Sequence, residues 1–457
     1  MLEIPLDPDS RVPLYLQIAE HIERLVESGA LAPGARLPSS RELSSILGVS
    51  RMTVSLAYDT LEDRLRIRKR GRSGAFVTGC GASEPLISSS GEGQYDMDSG
   101  IPSSDLVPVD ALASLARKAI LERGASSLQM TPPQGIDELR FLLVKHAVSR
   151  GIPAQWNNIL VTSGGRQGLY IAAAALSTVG VGKMWMEELT YPDAWGMANG
   201  AGMTVHALPS GGGHLWELPG TLGPCDVLYL VPSFQNPTGR TIPMDVRRKI
   251  LDESLRRGFF IIEDDAYGEL RFGETSVPAL AAMEGAERVL YLGSFSQVLF
   301  PGLRIGYSLV PTSLVPHVLA ALATHSGPVS TPVQLMTASF IASGGLERAL
   351  SDVRQSMQAR MRSLSEALDR YMPEYRFDVP GGGIYLWLPT NGRKGDEAAR
   401  AAGNEGVLVS PGRAFHLSGI DPLAVRLSIS SVPAVRMGDA VRRLRAAWET
   451  SGHSLSR

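Results

Sequence analysis

Four short apolar runs are separated by stretches with helical spacing: Ile159-Leu160-Val161-Thr162, Val227-Leu228-Tyr229-Leu230-Val231, Phe259-Phe260-Ile261-Ile262 and Val289-Leu290-Tyr291-Leu292. Runs of this length without polar alternation suit strands buried on both faces, and the intervening helices supply the crossovers that parallel pairing needs. The carboxyl-terminal part is therefore expected to be α/β with a mostly parallel sheet. At 457 residues the chain is too long for one ordinary core, and a 44% hydrophobic content provides material for two. Residues 78–99 run through Thr78-Gly79-Cys80-Gly81-Ala82-Ser83 to Ser88-Ser89-Ser90-Gly91-Glu92-Gly93, rich in Gly and Ser and without apolar periodicity. They read as a linker between a domain at 1–77 and a domain at 100–457.

Several function classes are disfavoured by composition. A net charge of −2 gives no global basic field, so any nucleic-acid partner must be met by a local patch. Two cysteines, Cys80 and Cys225, are too few for a disulfide framework, and the start Met1-Leu2-Glu3-Ile4-Pro5 lacks the apolar run of a signal peptide. No apolar stretch has the length of a membrane span, and the eight histidines lack metal-ligand spacing. The expected compartment is the cytoplasm, with no metal and no membrane partner.

In the first 77 residues, Leu14, Ile18, Ile22, Leu25 and Val26 follow helical spacing up to Gly29. Ser39 is placed to cap a helix running to Leu47, Gly48-Val49-Ser50 makes a tight turn, and Ser50 caps a second helix carrying Arg51, Thr53, Ser55 and Tyr58. Helix, short turn and helix form the unit whose second helix enters the DNA major groove. Residues 64–72 then hold six Lys or Arg, and Gly71-Arg72-Ser73-Gly74-Ala75-Phe76-Val77 reads as a hairpin tip placed to lie against phosphates.

Leu37-Pro38-Ser39-Ser40-Arg41 and Val49-Ser50-Arg51-Met52-Thr53-Val54 closely resemble the winged helix-turn-helix domain of the GntR superfamily of bacterial regulators. The resemblance covers nearly all of residues 12–77. It implies that Arg41 and Arg51 contact a double-stranded operator, that Ser39, Ser50 and Thr53 position the backbone, and that Gly74 sits at the wing tip. Arg36, Arg70 and Arg72 complete the expected DNA-binding set. Two residues depart from the family pattern: Arg72 stands at a usual glycine, adding a phosphate contact, and Leu65 stands at a usual glycine before an aromatic, altering the entry to the wing. Taken alone the basic run reads as a solvated face, and only the whole constellation points to DNA.

In the large domain, Ser163-Gly164-Gly165-Arg166-Gln167-Gly168 follows an apolar strand and opens a helix, so its amides and the helix dipole suit a phosphate. Asn236-Pro237-Thr238-Gly239 follows a second strand, and Asp264-Asp265-Ala266-Tyr267 comes straight after a third. Gly293-Ser294-Phe295-Ser296-Gln297 leads to Pro301-Gly302-Leu303-Arg304. In this order, these elements resemble a fold-type I aminotransferase of class I over about three quarters of the chain. The resemblance implies that Ser294, Ser296 and Arg304 form a cup for the phosphate of pyridoxal phosphate (PLP). It implies that Gly165 and Arg166 adjoin the cup, that Tyr191 stacks on the pyridine ring, and that Asn236 and Tyr267 bond its 3-oxygen. Asp264, with Asp265 as the competing carboxylate, would pair with the ring nitrogen. Arg426 matches the arginine that clamps an α-carboxylate. Each of these residues also has a plain structural reading as core aromatic, salt-bridge partner or turn.

Three residues depart from the aminotransferase pattern. Gln297 stands where the Schiff-base lysine belongs, Met130 where a tyrosine usually reaches a neighbouring subunit's phosphate, and Gly165-Arg166 where a hydroxyl and an amide usually sit. An amide can neither hold PLP covalently nor shuttle a proton, and no lysine occurs between Lys249 and Lys394.

A GntR-type reader joined to an aminotransferase-like domain resembles the MocR subfamily of bacterial transcription regulators. That likeness implies a head-to-tail homodimer whose DNA-binding arrangement responds to a small-molecule effector. The effector expected here is PLP or pyridoxamine phosphate held noncovalently, a preformed conjugate of PLP with an amino acid, or another carboxylate on Arg426. The aminotransferase-like domain is expected to be inactive as an enzyme. The alternatives are an active PLP-dependent aminotransferase with an appended DNA-binding domain, and a regulator whose large domain is only a dimerisation scaffold.

Overall fold

The computed structural model describes residues 4–8, 10, 12–27, 30–31, 35–64, 66–69, 74–77, 93–103, 106–208, 218–273, 277–296 and 301–452. The chain divides into two compact units, Met1–Ser89 and Ser90–Arg457.

The first unit is a winged helix-turn-helix. It contains α1 (Leu14–Glu27), α2 (Ser40–Leu47) and α3 (Arg51–Asp63), then β1 (Ile67–Lys69) paired antiparallel with β2 (Ala75–Val77). Ser39 starts α2 as expected: its hydroxyl accepts from the Glu42 amide at 3.2 Å while the Glu42 carboxylate accepts from the Ser39 amide at 2.7 Å. Gly48 stops the helix at φ 65°, a left-handed conformation that a side chain would disfavour. Ser50 then caps α3, accepting from the Thr53 amide at 3.0 Å. Ile18 and Ile22 of α1, Leu43 of α2, and Val54 and Leu61 of α3 close a core with Leu37, Ile67 and Val77.

The second unit begins at β3 (Tyr95–Met97), which falls inside the stretch 78–99 expected to be linker. It pairs in parallel with a later strand and buries Tyr95 and Met97 on one face. Three residues are too few to stand out as alternation in a Gly- and Ser-rich context.

A seven-stranded sheet follows: β4 (Ile159–Thr162), β5 (Lys183–Met186), β6 (Thr204–Ala207), β7 (Asp226–Leu230), β8 (Phe260–Asp264), β9 (Val289–Ser294) and β10 (Gly306–Leu309). Their order is β4-β10-β9-β8-β7-β5-β6. All pairings are parallel except those of β10 with β4 and β9, as expected of a mostly parallel sheet. Every residue of β4, β7 and β10 is buried. Helices α4 (Val109–Arg123), α5 (Asp137–Ser149), α6 (Gly165–Thr178), α7 (Pro192–Gly200), α8 (Met244–Arg257), α9 (Val315–His325) and α10 (Thr331–Ala342) accompany this sheet in the sequence. The long α11 (Gly345–Tyr371) leads to a smaller sheet of β11 (Tyr385–Pro389), β12 (Val407–Pro411) and β13 (Ala424–Ser428), ordered β11-β13-β12-β3. It carries α12 (Gly395–Asn404) and α13 (Ala434–Gly452).

One expected boundary moves. Strand β8 runs two residues past its apolar run, so Asp264 ends the strand instead of following it, because neighbouring β9 still offers a partner at Leu292. Helix α13 continues to Gly452.

The capping geometry predicts that Ser39→Ala costs the first unit about 1 kcal/mol. Amide hydrogen exchange across α2 in the full chain should accelerate accordingly. Unchanged exchange would show that the cap contributes nothing.

Candidate functional site

In an open α/β sheet, ligand-binding residues collect at the carboxyl ends of the parallel strands. Here β8 ends in Asp264 and β9 in Ser294, while Tyr191 lies beyond β5 and Asn236 beyond β7. Beside them Gly164, at φ 81°, precedes α6. A Cβ at Gly164 would sit 3.1 Å from Ser296 Oγ and 3.4 Å from Arg304 Nη2, and one at Gly165 would sit 3.7 Å from Ser294 Cβ. Two hydroxyl side chains and one guanidinium thus converge on the amino end of a 14-residue helix. The Ser296 hydroxyl is buried with no hydrogen-bond partner among the described residues, and Arg304 Nη2 reaches the Ser163 carbonyl at 3.3 Å. Such an arrangement favours a dianion through helix amides, dipole and charge-assisted hydrogen bonds.

Asp264 and Asp265 point into different environments. Tyr229 Oη donates to Asp264 Oδ2 at 2.8 Å. Burial raises the Asp264 carboxyl to about 6, with the Tyr229 bond opposing the rise and the charge of Asp265 adding to it. Asp265 instead meets Arg150 at 2.5 Å and Tyr291 Oη at 2.8 Å. Arg150 also lies 3.4 Å from Glu269, which His146 approaches to 2.6 Å. Burial alone would raise Glu269, but His146 and Arg150 bring it down to about 2. Asp265 therefore belongs to a buried ion cluster that lines a separate cavity of about 250 Å³ with Arg271 and Arg354.

Around Asp264, burial pushes the phenols of Tyr191, Tyr229 and Tyr267 above their ordinary range, and the Asp264 charge pushes each further. Tyr191 Oη donates to Asp193 at 2.5 Å, and Arg166 Nε lies 3.2 Å from the same carboxylate. Arg166 is thereby tied beside Tyr191. Tyr267 stands edge-on to Tyr385, with ring centroids 5.6 Å apart.

Arg426, 7% exposed, reaches this cluster from β13. Its Nη1 donates to Asn236 Oδ1 at 2.8 Å, and its Nη2 donates to Ser410 Oγ at 2.9 Å and to the Asp98 carbonyl at 2.6 Å. The guanidinium lies over Tyr385 at 4.1 Å and Phe415 at 4.5 Å. Its Nε is buried without a partner among the described residues.

Most of the predicted pocket residues thus come together: Gly165, Arg166, Tyr191, Asn236, Asp264, Tyr267, Ser294, Ser296, Arg304 and Arg426. Gln297 lies outside the described residues. Met130 is 84% exposed. Sequence reasoning missed Tyr229, Asp98 and Ser410, which hold Asp264 and Arg426. Tyr229 sits inside an apolar run and the other two in unremarkable polar contexts, so none carries a local signal.

On the first unit, Arg41 and Arg51 are exposed near the starts of α2 and α3. Gly74, at φ 107°, lies against Arg36, whose Nε is 3.2 Å from where a Cβ would be. Arg70 and Arg72 lie outside the described residues. The basic run is less available than expected: Arg64 and Arg66 pair with Glu23 at 2.6 and 2.9 Å, and Lys69 pairs with Asp59 and Glu62. Half of its six cations are thus already paired with acids of α1 and α3. Among the described residues, no group of His, Cys, Asp and Glu could hold a metal and no helix is long and apolar enough to cross a membrane.

Residues 91–444 match the model of aminotransferase class I and II, and residues 14–77 match that of bacterial regulatory proteins of the gntR family. The pyridoxine biosynthesis transcriptional regulator PdxR of Corynebacterium glutamicum is 30% identical over 85% of each chain. The probable rhizopine catabolism regulatory protein MocR of Rhizobium meliloti is 27% identical, covering 93% of this chain and 94% of that one. The chain belongs to the aminotransferase class I and II family, in the MocR subfamily of GntR-type regulators. Among solved structures, α-aminoadipate aminotransferase LysN of Thermus thermophilus, complexed with N-(5′-phosphopyridoxyl)-L-leucine, superposes on 79% of this chain and 94% of its own. Its TM-score is 0.71 at 28% identity. This MocR-type chain is a DNA-binding transcription regulator built on an aminotransferase fold.

Removing the Tyr229 hydroxyl takes away the bond that favours ionised Asp264. Tyr229→Phe should therefore move the Asp264 titration above about 6, as read by carboxyl-carbon NMR. An unmoved titration would show that the hydrogen bond does not set the carboxyl's charge.

Proposed function

We propose that the large unit senses a pyridoxal-type ligand noncovalently and without turnover, and that ligand binding adjusts operator binding by the amino-terminal reader. The observation that supports this reading is the Ser296 hydroxyl beside the amino end of α6, buried and without a partner among the described residues, in a chain whose Gln297 corresponds by resemblance to the Schiff-base lysine. A buried hydroxyl without a partner is costly, and a ligand phosphate would satisfy it.

PLP or pyridoxamine phosphate would bring a phosphate dianion and a protonated pyridine nitrogen to the site. Ser294, Ser296, Arg304 and the α6 amides would hold the phosphate. Asp264, ionised above about pH 6, would pair with the ring nitrogen, Tyr191 would cover the ring, and Asn236 and Tyr267 would hold its 3-oxygen. Arg426 would take a carboxylate if the ligand carries one. Asp265 is a poorer ring partner because Arg150 already neutralises it. Gln297 would donate or accept a hydrogen bond but has no ionisable proton with which to act as an acid or base. Binding that differs between two conformations needs no chemistry, which makes the substitution compatible with regulation. The reading includes the division 1–77, 78–99 and 100–457, with ordered structure entering at β3. It also includes a head-to-tail homodimer, a cytoplasmic setting and double-stranded operator contacts from Arg36, Ser39, Arg41, Ser50, Arg51, Thr53, Arg70, Arg72 and Gly74.

Calorimetric titration of the full chain with pyridoxamine phosphate should saturate. Arg304→Ala should weaken binding at least about tenfold, the worth of a charge-assisted hydrogen bond. Asp264 is raised in the free chain, so affinity should fall as pH drops through about 6, and Asp264→Asn should remove that part of the dependence. No saturable heat, or amino-acid turnover by the chain as it stands, would overturn the reading.

A further inference from the structure

The guanidinium of Arg426 has five N–H donors, and a carboxylate engages it bidentately through one of two edges, Nη1 with Nη2 or Nε with Nη2. Nη2 belongs to both edges. Its two hydrogens are already committed, one to the Asp98 carbonyl at 2.6 Å and one to Ser410 Oγ at 2.9 Å. Ser410 Oγ donates onward to Asp98 Oδ1, itself 3.8 Å from Nη2. A bidentate ligand carboxylate must therefore take a donor from Asp98 or Ser410. It also brings a second negative charge towards the Asp98 carboxylate.

Asp98 directly follows β3, the strand at which the chain enters this unit from the DNA-reading side. Strand β3 is an edge strand held by three register pairs to β12: Val407 with Tyr95, Leu408 with Asp96 and Val409 with Met97. Its start is fixed by Tyr95, whose amide donates to the Gly406 carbonyl at 2.7 Å and whose hydroxyl donates to Asp439 at 2.5 Å. Its end is fixed through Asp98 by Arg426 and Ser410. Ser410 is itself on β12 and pairs in register with Arg426 of β13.

We propose, resting on the reading that Arg426 receives an effector carboxylate, that Asp98 and Ser410 are its built-in competitors and that their displacement reports occupancy to β3. They are positioning residues acting through Arg426. A ligand without a carboxylate leaves the contact in place, so the two ligand classes are distinguished at this point and the carboxylate-bearing one is the signal.

The test uses the full chain with two probes, N-(5′-phosphopyridoxyl)-L-leucine, which carries a carboxylate, and pyridoxamine phosphate, which does not. It also uses an operator fragment selected from random-sequence DNA by the unchanged protein. Asp98→Asn keeps an acceptor for Ser410 and removes the charge. Affinity for the conjugate should rise about threefold, within the range of an exposed ion pair, while affinity for pyridoxamine phosphate stays the same. The conjugate's effect on operator affinity should shrink by a similar factor. Ser410→Ala should act in the same direction and serves if the first variant does not fold. Equal shifts for both probes, or an unchanged operator effect, would overturn the proposal. Failure of the unchanged chain to bind either probe would instead overturn the functional reading on which it rests.

Discussion

The buried carboxylate of Asp264 is the constraint around which the pocket is organised. A carboxylate taken out of water is costly unless it is hydrogen-bonded or paired, and burial here raises its titration to about 6. One phenol, Tyr229, holds it at 2.8 Å, and the side chain next in sequence, Asp265, repels it while being itself absorbed by Arg150. No cation serves Asp264 among the described residues as Arg150 serves Asp265. In the proposed reading, a ligand that presents a positive ring nitrogen would supply what the fold leaves out. The parallel sheet makes this possible, because β8 carries the carboxylate to the same edge at which β9 delivers Ser294 and α6 begins.

Much of this was legible in the sequence, for physical reasons that differ by region. The helix-turn-helix could be read because its punctuation is local: Ser39 and Glu42 make a reciprocal cap, Gly48 a left-handed stop and Ser50 a second cap. The sheet could be read because strands buried on both faces leave unbroken apolar runs. Strands β5, β6 and β11 to β13 were not read: β5 and β6 are short and partly exposed, β12 and β13 are interrupted by Ser410 and Arg426, and the apolar run of β11 ends in a proline. Strand β3 was hidden in a Gly- and Ser-rich stretch, and its pairing with β12 spans more than 300 residues of sequence. Long-range partners such as Tyr229 for Asp264, or Asp98 and Ser410 for Arg426, leave no local trace. The basic run misled in the other direction, because pairing of Arg64 and Arg66 with Glu23 depends on how α1 packs.

The two units divide the labour. The reader keeps exposed Arg41 and Arg51 near its helix starts, and the large unit keeps Ser294, Ser296 and Arg304 at the amino end of α6 and a buried Arg426 tied to Asn236. In the proposed reading, Gln297 would remove a capacity that a sensor does not need. Arg426, lying over Tyr385 and Phe415 and tied to Asn236, joins the smaller sheet to the carboxyl edge of the larger one, so the proposed site would lie across that junction.

Mass spectrometry of the intact chain incubated with PLP tests the central claim most directly, by comparing native and denaturing conditions. The account predicts that the native protein carries the ligand mass and that denaturation releases it completely. A mass increment that survives denaturation and borohydride reduction would reveal covalent attachment, and no increment under native conditions would remove the pocket from the account.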